Sequence, residues 1–199
     1  MTKLTPRFRI VLNELRFAAA FHSEPDDEFF HRFLRKRPSA EVSNIVEKRI
    51  ADLRDYASQL IHPHAVYGIF PRDHFQIPVF QDADYLALGL VTIGRELEHT
   101  AEELSEAGNL ADSVILDAWG SAMVEGAVKA LDEVIRLEAR LLNCIASKRK
   151  SPGYKPWSIE EQPFVLNRLK AEKLGVSVTD SYTMVPRKSV SFAIGLNLN

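Results

Sequence analysis

Through AEVSNIVEKRIADLRDYASQLI, the apolar residues Val42, Ile45, Val46, Ile50, Leu53, Ala57, Leu60 and Ile61 recur at three- and four-residue intervals. That spacing puts them on one stripe of an amphipathic helix. Shorter helical stretches are expected before it, around 8–20 and 25–35. The second is opened by Pro25 with acidic residues in its first turn. The period changes at His62-Pro63-His64. AVYGIF and DYLALGLVTIG then form near-continuous apolar runs of strand length, as expected of strands buried on both faces. Helical spacing returns in RELEHTAEELSEAG, which breaks at Gly108.

A long helix is expected over roughly 110–146. Val114, Ile115, Ala118, Met123, Ala127, Leu131, Val134, Ile135, Leu141 and Ile145 lie on one face, with Glu125–Lys129 and Asp132–Arg136 as four-residue ion pairs on the other. After a turn at Gly153, Ser158-x-x-Glu161 reads as a capping box for a helix ending at Gly175. VSVT, YTMV and KSVSFAIGL follow as strands. In the last, Val190, Phe192, Ile194 and Leu196 alternate with smaller residues. Helices and strands fall in separate blocks, so the expected class is α+β: a mainly antiparallel sheet packed with long helices, after a helical N-terminal region. The change of period divides the chain into 1–64 and 65–199, which also fit one compact unit.

Composition narrows the function classes. Lys plus Arg (25) nearly balances Asp plus Glu (27), so no global field draws in nucleic acid or an anionic membrane. One cysteine, Cys144, excludes an internal disulfide and an all-cysteine metal site, and fits a cytoplasmic setting. No apolar run reaches spanning length, and the N-terminus lacks the uninterrupted apolar stretch of a signal peptide. His62 and His64 match no common zinc spacing and read as a surface turn. Arg35-Lys36-Arg37 reads as a solvated helix end. Nucleophile elbows, Walker loops and dinucleotide fingerprints are lacking.

The stretch Arg149-Lys150-Ser151-Pro152-Gly153-Tyr154 is open to two readings. It is a helix stop with basic support, or a loop whose amides cradle a carboxylate that Arg149 clamps, beside the flat face of Tyr154. Gly153 permits a positive φ or close approach of a ligand.

The Arg149-x-x-x-Gly153-Tyr154 loop is followed by Gly175, Thr179, Asp180, Ser181, Met184, Pro186, Ser189, Val190 and Ser191. In this order and spacing, 149–196 resembles the activation domain of cobalamin-dependent methionine synthase, and more closely the small stand-alone bacterial proteins related to it. AVYGIFP, YLALGLVTIGRELE and SAMVEGAVKALDEV are collinear with that pattern. The resemblance implies a domain that binds S-adenosylmethionine and docks on a corrinoid (cobalamin-carrying) protein or domain. There an electron from a flavoprotein and the ligand's methyl group regenerate methylcobalamin from cob(II)alamin. It implies that Arg149 holds the ligand's carboxylate, that the backbone of Lys150, Ser151, Pro152 and Gly153 touches the ligand, and that Tyr154 packs beside it. Glu125 is either a further ligand contact or a solvated residue paired with Lys129. Two departures stand out: the long form continues past the Ser-Val-Ser strand with segments that complete the pocket, and Arg187-Lys188 replaces a small-residue pair. The expected alternative is a non-catalytic corrinoid-binding module that uses no S-adenosylmethionine.

Overall fold

The structure, a computed structural model, describes residues 14–19, 25, 26, 28, 30 and 40–199, with the backbone alone for 19 and 40–46. In chain order the elements are β1 (Leu15–Ala19), α1 (Ala40–Gln59), β2 (His64–Pro71), β3 (Tyr85–Thr92), α2 (Glu96–Glu106) and α3 (Leu110–Leu141). They continue with β4 (Cys144–Ala146), α4 (Gln162–Arg168), β5 (Ser177–Val178), β6 (Met184–Val185) and β7 (Ser189–Leu198). A five-stranded antiparallel sheet runs β1-β2-β3-β7-β4, and β5 and β6 form a separate small hairpin. The class is α+β, as the blocks of periodicity imply.

The sheet is buried on both faces, which explains why its central strands read as unbroken apolar runs. On one side Ala65, Ile69, Ala87, Val91, Phe192, Ile194 and Leu196 meet Leu53, Leu97, Leu116, Ala122, Leu131 and Ile135 of the three long helices. The alternate residues Val66, Phe70, Leu86, Leu88, Leu90 and Ala193 meet Trp157, Val165, Leu166 and Leu169. Described residues from both sides of position 64 share this sheet and core: β1 pairs with β2, and Leu53 and Ala57 pack on the helical side.

Several expected boundaries move. Residues 15–19, expected within a helix at 8–20, form the edge strand β1 because pairing with β2 supplies the hydrogen bonds a helix would have made itself. Residues 8–13 and the Arg35–Arg37 run lie outside the described residues. Within 25–35, Glu28 and Phe30 are helical, and Phe30 packs edge-on against Trp119 at 5.0 Å. The long helix stops at Leu141, where Asn143 takes a φ of 57° and turns the chain into β4. Ile145, expected on the helix, is therefore an exposed strand residue. Val114, Val134 and Leu141 are also exposed, since the sheet and α1 and α2 cover only one arc of α3.

The helix expected to reach Gly175 ends at Arg168. Lys170 turns left-handed at φ 52°, and a short 3₁₀ turn leads to Gly175 at φ 69°. The Ser158 cap is present, its hydroxyl accepting from the Glu160 amide at 3.3 Å. α2 ends at Gly108, where the Gly108 and Asn109 amides return to Ser105 and Leu104, closing a glycine C-cap.

Candidate functional site

The root of the 149–154 loop is stitched along β7. Ser147 donates to the Gly195 carbonyl at 2.9 Å, and Lys150 and Ala193 exchange both backbone bonds at 2.9 and 2.8 Å. Three steps along the loop thus oppose two along β7, a bulge that inserts one extra residue. Bulges of this kind re-aim side chains, and here Arg149 reaches α3 to form an ion pair with Glu125. Arg136 secures the same root from below, donating to the Ser147 carbonyl at 2.8 Å and to Asp132 at 2.8 Å. Beyond Lys150 the loop closes on itself. The Gly153 amide donates to the Trp157 carbonyl at 3.0 Å, and the Trp157 ring is sunk in the core behind. Gly153 has a φ of 92°.

This loop forms one wall of a cleft of about 890 Å³, within the usual size of small-molecule sites. Glu125, Arg149, Lys150, Ser151, Pro152 and Tyr154 all line it; Gly153 does not, but sets the bend between them. The opposite wall is the β5–β6 hairpin and the start of β7, including Ser181, Met184, Ser189, Val190 and Ser191. Residues from two distant parts of the motif therefore meet across a single space. Tyr154 stands at the rim, 74% exposed.

Charge in the cleft is mostly compensated. Asp117, Ser121 and Glu125 are spaced by four on α3 and so share a face. Lys188 reaches the first two at 2.8 Å each, and Arg149 takes the third. Lys188, of the pair that replaces two small residues, is almost fully buried in this arrangement. Arg187 bonds Glu102 at 2.9 Å, and its amide donates to Glu98 at 2.8 Å. The anticipated Glu125–Lys129 pair does not form: Lys129 pairs with Asp26 at 2.6 Å.

Among the cleft residues that sequence reasoning missed, two stand out by conformation or burial. Gln162, buried at the start of α4, donates to the Ser191 hydroxyl at 2.7 Å. Tyr182 holds a φ of 64° in the hairpin turn. Neither residue type announces such a role. A second hollow of about 970 Å³ lies beside residues 71–85, but its one guanidinium, Arg72, is spent on the carbonyls of Phe75, Ile77 and Phe80.

His62 faces Glu96 at 3.1 Å, and His64 binds the His62 carbonyl. Among the described residues, no three His, Cys, Asp or Glu side chains cluster as a metal site, and no helix is long and apolar enough to cross a membrane.

A sheet covered by long helices, with a ligand-sized cleft between α3 and a bulged C-terminal loop, defines a recognisable class of α+β domain. Among solved structures it is similar to the crystal structure of the MetH reactivation domain bound to AdoHcy. The TM-score is 0.73 at 17% identity, over 94% of this chain and 79% of that one. The chain has the fold of that reactivation domain. No protein-family model and no curated protein matches the sequence.

Proposed function

We propose that the chain binds S-adenosylmethionine in the cleft and serves as a reactivation partner for a cobalamin-dependent methyltransferase such as methionine synthase. The observation that carries this reading is the Arg149–Glu125 pair on the wall of the cleft. The amino-acid end of the ligand offers a carboxylate and an ammonium, the charge complement of that pair. Inserted between the two side chains, it replaces one ion pair by two, with Arg149 on the carboxylate through parallel bonds and Glu125 on the ammonium. The fold shared with a reactivation domain that is itself bound to AdoHcy supports the reading.

The chain's own work is to bind and orient. The backbone of Lys150, Ser151 and Pro152 lies against the ligand, Gly153 sets the bend that presents it, and the tie to β7 holds it in place. Tyr154, on the exposed rim, packs beside the ligand where a docking corrinoid protein can cover it. When bound, the sulfonium supplies the methyl group that, with one electron from a flavoprotein, converts the partner's cob(II)alamin to methylcobalamin.

Calorimetric titration with S-adenosylmethionine tests this. Saturable binding is expected, weakened in Arg149→Ala. No heat and no thermal shift at roughly millimolar ligand, far above the affinity such a clamp implies, sinks the small-molecule claim. One observation favours a second reading: Glu125 already neutralises Arg149 within the chain. On that reading the protein is a non-catalytic corrinoid-binding module. Capture of a corrinoid protein together with a negative titration would select it.

A further inference from the structure

Thr179, Asp180, Ser181, Tyr182 and Thr183 turn the chain between β5 and β6. The Tyr182 amide donates to the Thr179 carbonyl at 2.9 Å, the Thr179 amide donates to the Thr183 carbonyl at 2.9 Å, and the Thr183 amide donates to the Thr179 hydroxyl at 3.1 Å. This is a tight turn followed by one left-handed residue, a position that hairpins normally give to glycine or asparagine. Here a tyrosine occupies it at φ 64°.

Three other non-glycine residues among those described have positive φ, and each has a local reason. The Phe80 ring packs on Gly195 and lies beneath the Lys150 amine. Asn143 is a residue type that tolerates the conformation. Lys170 terminates a helix, where a left-handed residue is common. The hairpin turn sets the Tyr182 backbone, but nothing in the turn calls for a side chain of its size. It is half-buried, yet its ring makes no aromatic or cation–π contact and its hydroxyl no hydrogen bond with any described residue. What it does is line the cleft, on the wall facing Arg149 and the 150–155 loop. A bulky side chain held at a strained position, with no hydrogen bond or ring contact to any described residue, is accounted for by what it meets when the cleft is filled.

We propose that Tyr182 is a specificity residue, and that its ring forms the face on which a flat heteroaromatic part of the ligand stacks. Arg149 and Glu125 take the charged end, and Tyr182 takes the planar end across the cleft. The assignment rests on the proposed ligand reading for the identity of the heteroaromatic group, an adenine. It makes its own demand: the tyrosine costs stability and contributes binding.

The test uses the full chain as wild type, Tyr182→Gly and Tyr182→Phe, with AdoHcy and adenosine as calorimetric probes and thermal unfolding in parallel. Tyr182→Gly should unfold no earlier than wild type, yet bind both probes about tenfold or more weakly, the scale of one aromatic–base stack. Tyr182→Phe should keep wild-type affinity, since the ring and not the hydroxyl is used. Tyr182→Gly that binds AdoHcy and adenosine like wild type overturns the tyrosine assignment and leaves the ligand reading intact. Loss of stability in that variant also overturns it, by making the ring structural. Wild type that binds adenosine but not AdoHcy refutes the zwitterion clamp while the tyrosine assignment stands. Wild type that binds neither overturns both.

Discussion

Arg149 and Glu125 are ion-pair partners across the wall of the cleft, one carried by a bulge on the edge of β7 and the other by the middle of α3. The family resemblance implied Arg149 as a ligand contact and left Glu125 open between a ligand contact and a solvated partner of Lys129; the structure sets the two side chains against each other. Both side chains keep access to solvent, about 30% and 22% exposed, so the pair itself contributes little to folding, roughly 0–1 kcal/mol. On the proposed reading, its importance is for what enters between them.

Replacing Arg149 with Ala should weaken S-adenosylmethionine binding by about 1.5–3 kcal/mol, the scale of a charge-assisted bond, with a small change in unfolding temperature. Glu125→Gln separates the two poles. It strips the ammonium's partner and frees Arg149, so S-adenosylmethionine should bind more weakly while an analogue lacking the amino group binds more tightly. Titration of both ligands against both variants checks this. If Glu125→Gln weakens the two ligands equally, the carboxylate is not facing the ammonium.

Gly153→Ala should cost stability and affinity together. At φ 92° a side chain is strained, and a Cβ there would lie 3.3 Å from the Ile159 Cδ1. Left-handed backbone costs a non-glycine residue about 1–2 kcal/mol, and relieving it would re-aim Tyr154 and the amides on either side. Thermal unfolding alongside ligand titration measures both. An unchanged affinity would separate the bend from the ligand.

Much of this architecture was legible beforehand because it is written in local periodicity. The stripe of α1, the unbroken apolar runs of β2 and β3 and the alternation in β7 each point to one element. What was not legible depends on distant partners. Leu15–Ala19 carries no pattern that forbids a helix, and only β2 makes it a strand. Ile145 continues the spacing of α3, but the turn at Asn143 and the free edge of β7 claim it for the sheet. The burial of Lys188 follows from α3, which brings Asp117 and Ser121 to its amine. In the site, the residue types of Arg149 to Tyr154 left a helix stop and a ligand cradle both open, and the family resemblance pointed to the second. Tyr182 and Gln162 are marked only by backbone conformation and burial, which residue type does not encode.

The stability of the fold should fall in strong alkali through Tyr67. Burial first, then the hydrogen bond to Glu138 at 2.8 Å, push its phenol up from the ordinary 10 to about 12. A raised folded-state value means the fold favours the protonated form. That contribution is complete below the unfolded chain's value near 10 and is lost as pH rises through about 12. Glu138 also holds Arg16 of β1 at 2.6 Å, so ionisation would repel the carboxylate that ties the edge strand to α3. Absorbance titration should find a late-ionising tyrosine in wild type that is missing in Tyr67→Phe. That variant should also have a shallower stability decline between pH 10 and 12. An identical decline in the variant would assign the loss to other groups.

Gly120→Ala offers the sharpest conflict between local preference and tertiary packing. Gly120 lies within α3, where alanine would ordinarily stabilise a helix by about 0.5–1 kcal/mol. In this helix the added Cβ would sit 2.6 Å from the Leu97 Cδ2 and 3.3 Å from the Lys188 Cε. Leu97 is fully buried in the helical core, so moving its side chain disturbs the packing around it. The Lys188 stem crosses this spot so that its amine reaches Asp117 and Ser121, and pushing the stem away loosens that amine at the cleft wall. Overpacking of this kind costs about 1–3 kcal/mol, more than the propensity gain, so the variant should be net destabilised. The urea midpoint should fall at an unchanged slope, because no additional surface is exposed on unfolding. A higher midpoint would mean that Leu97 and Lys188 can yield, and that the absence of a side chain at 120 is not what lets Lys188 reach α3.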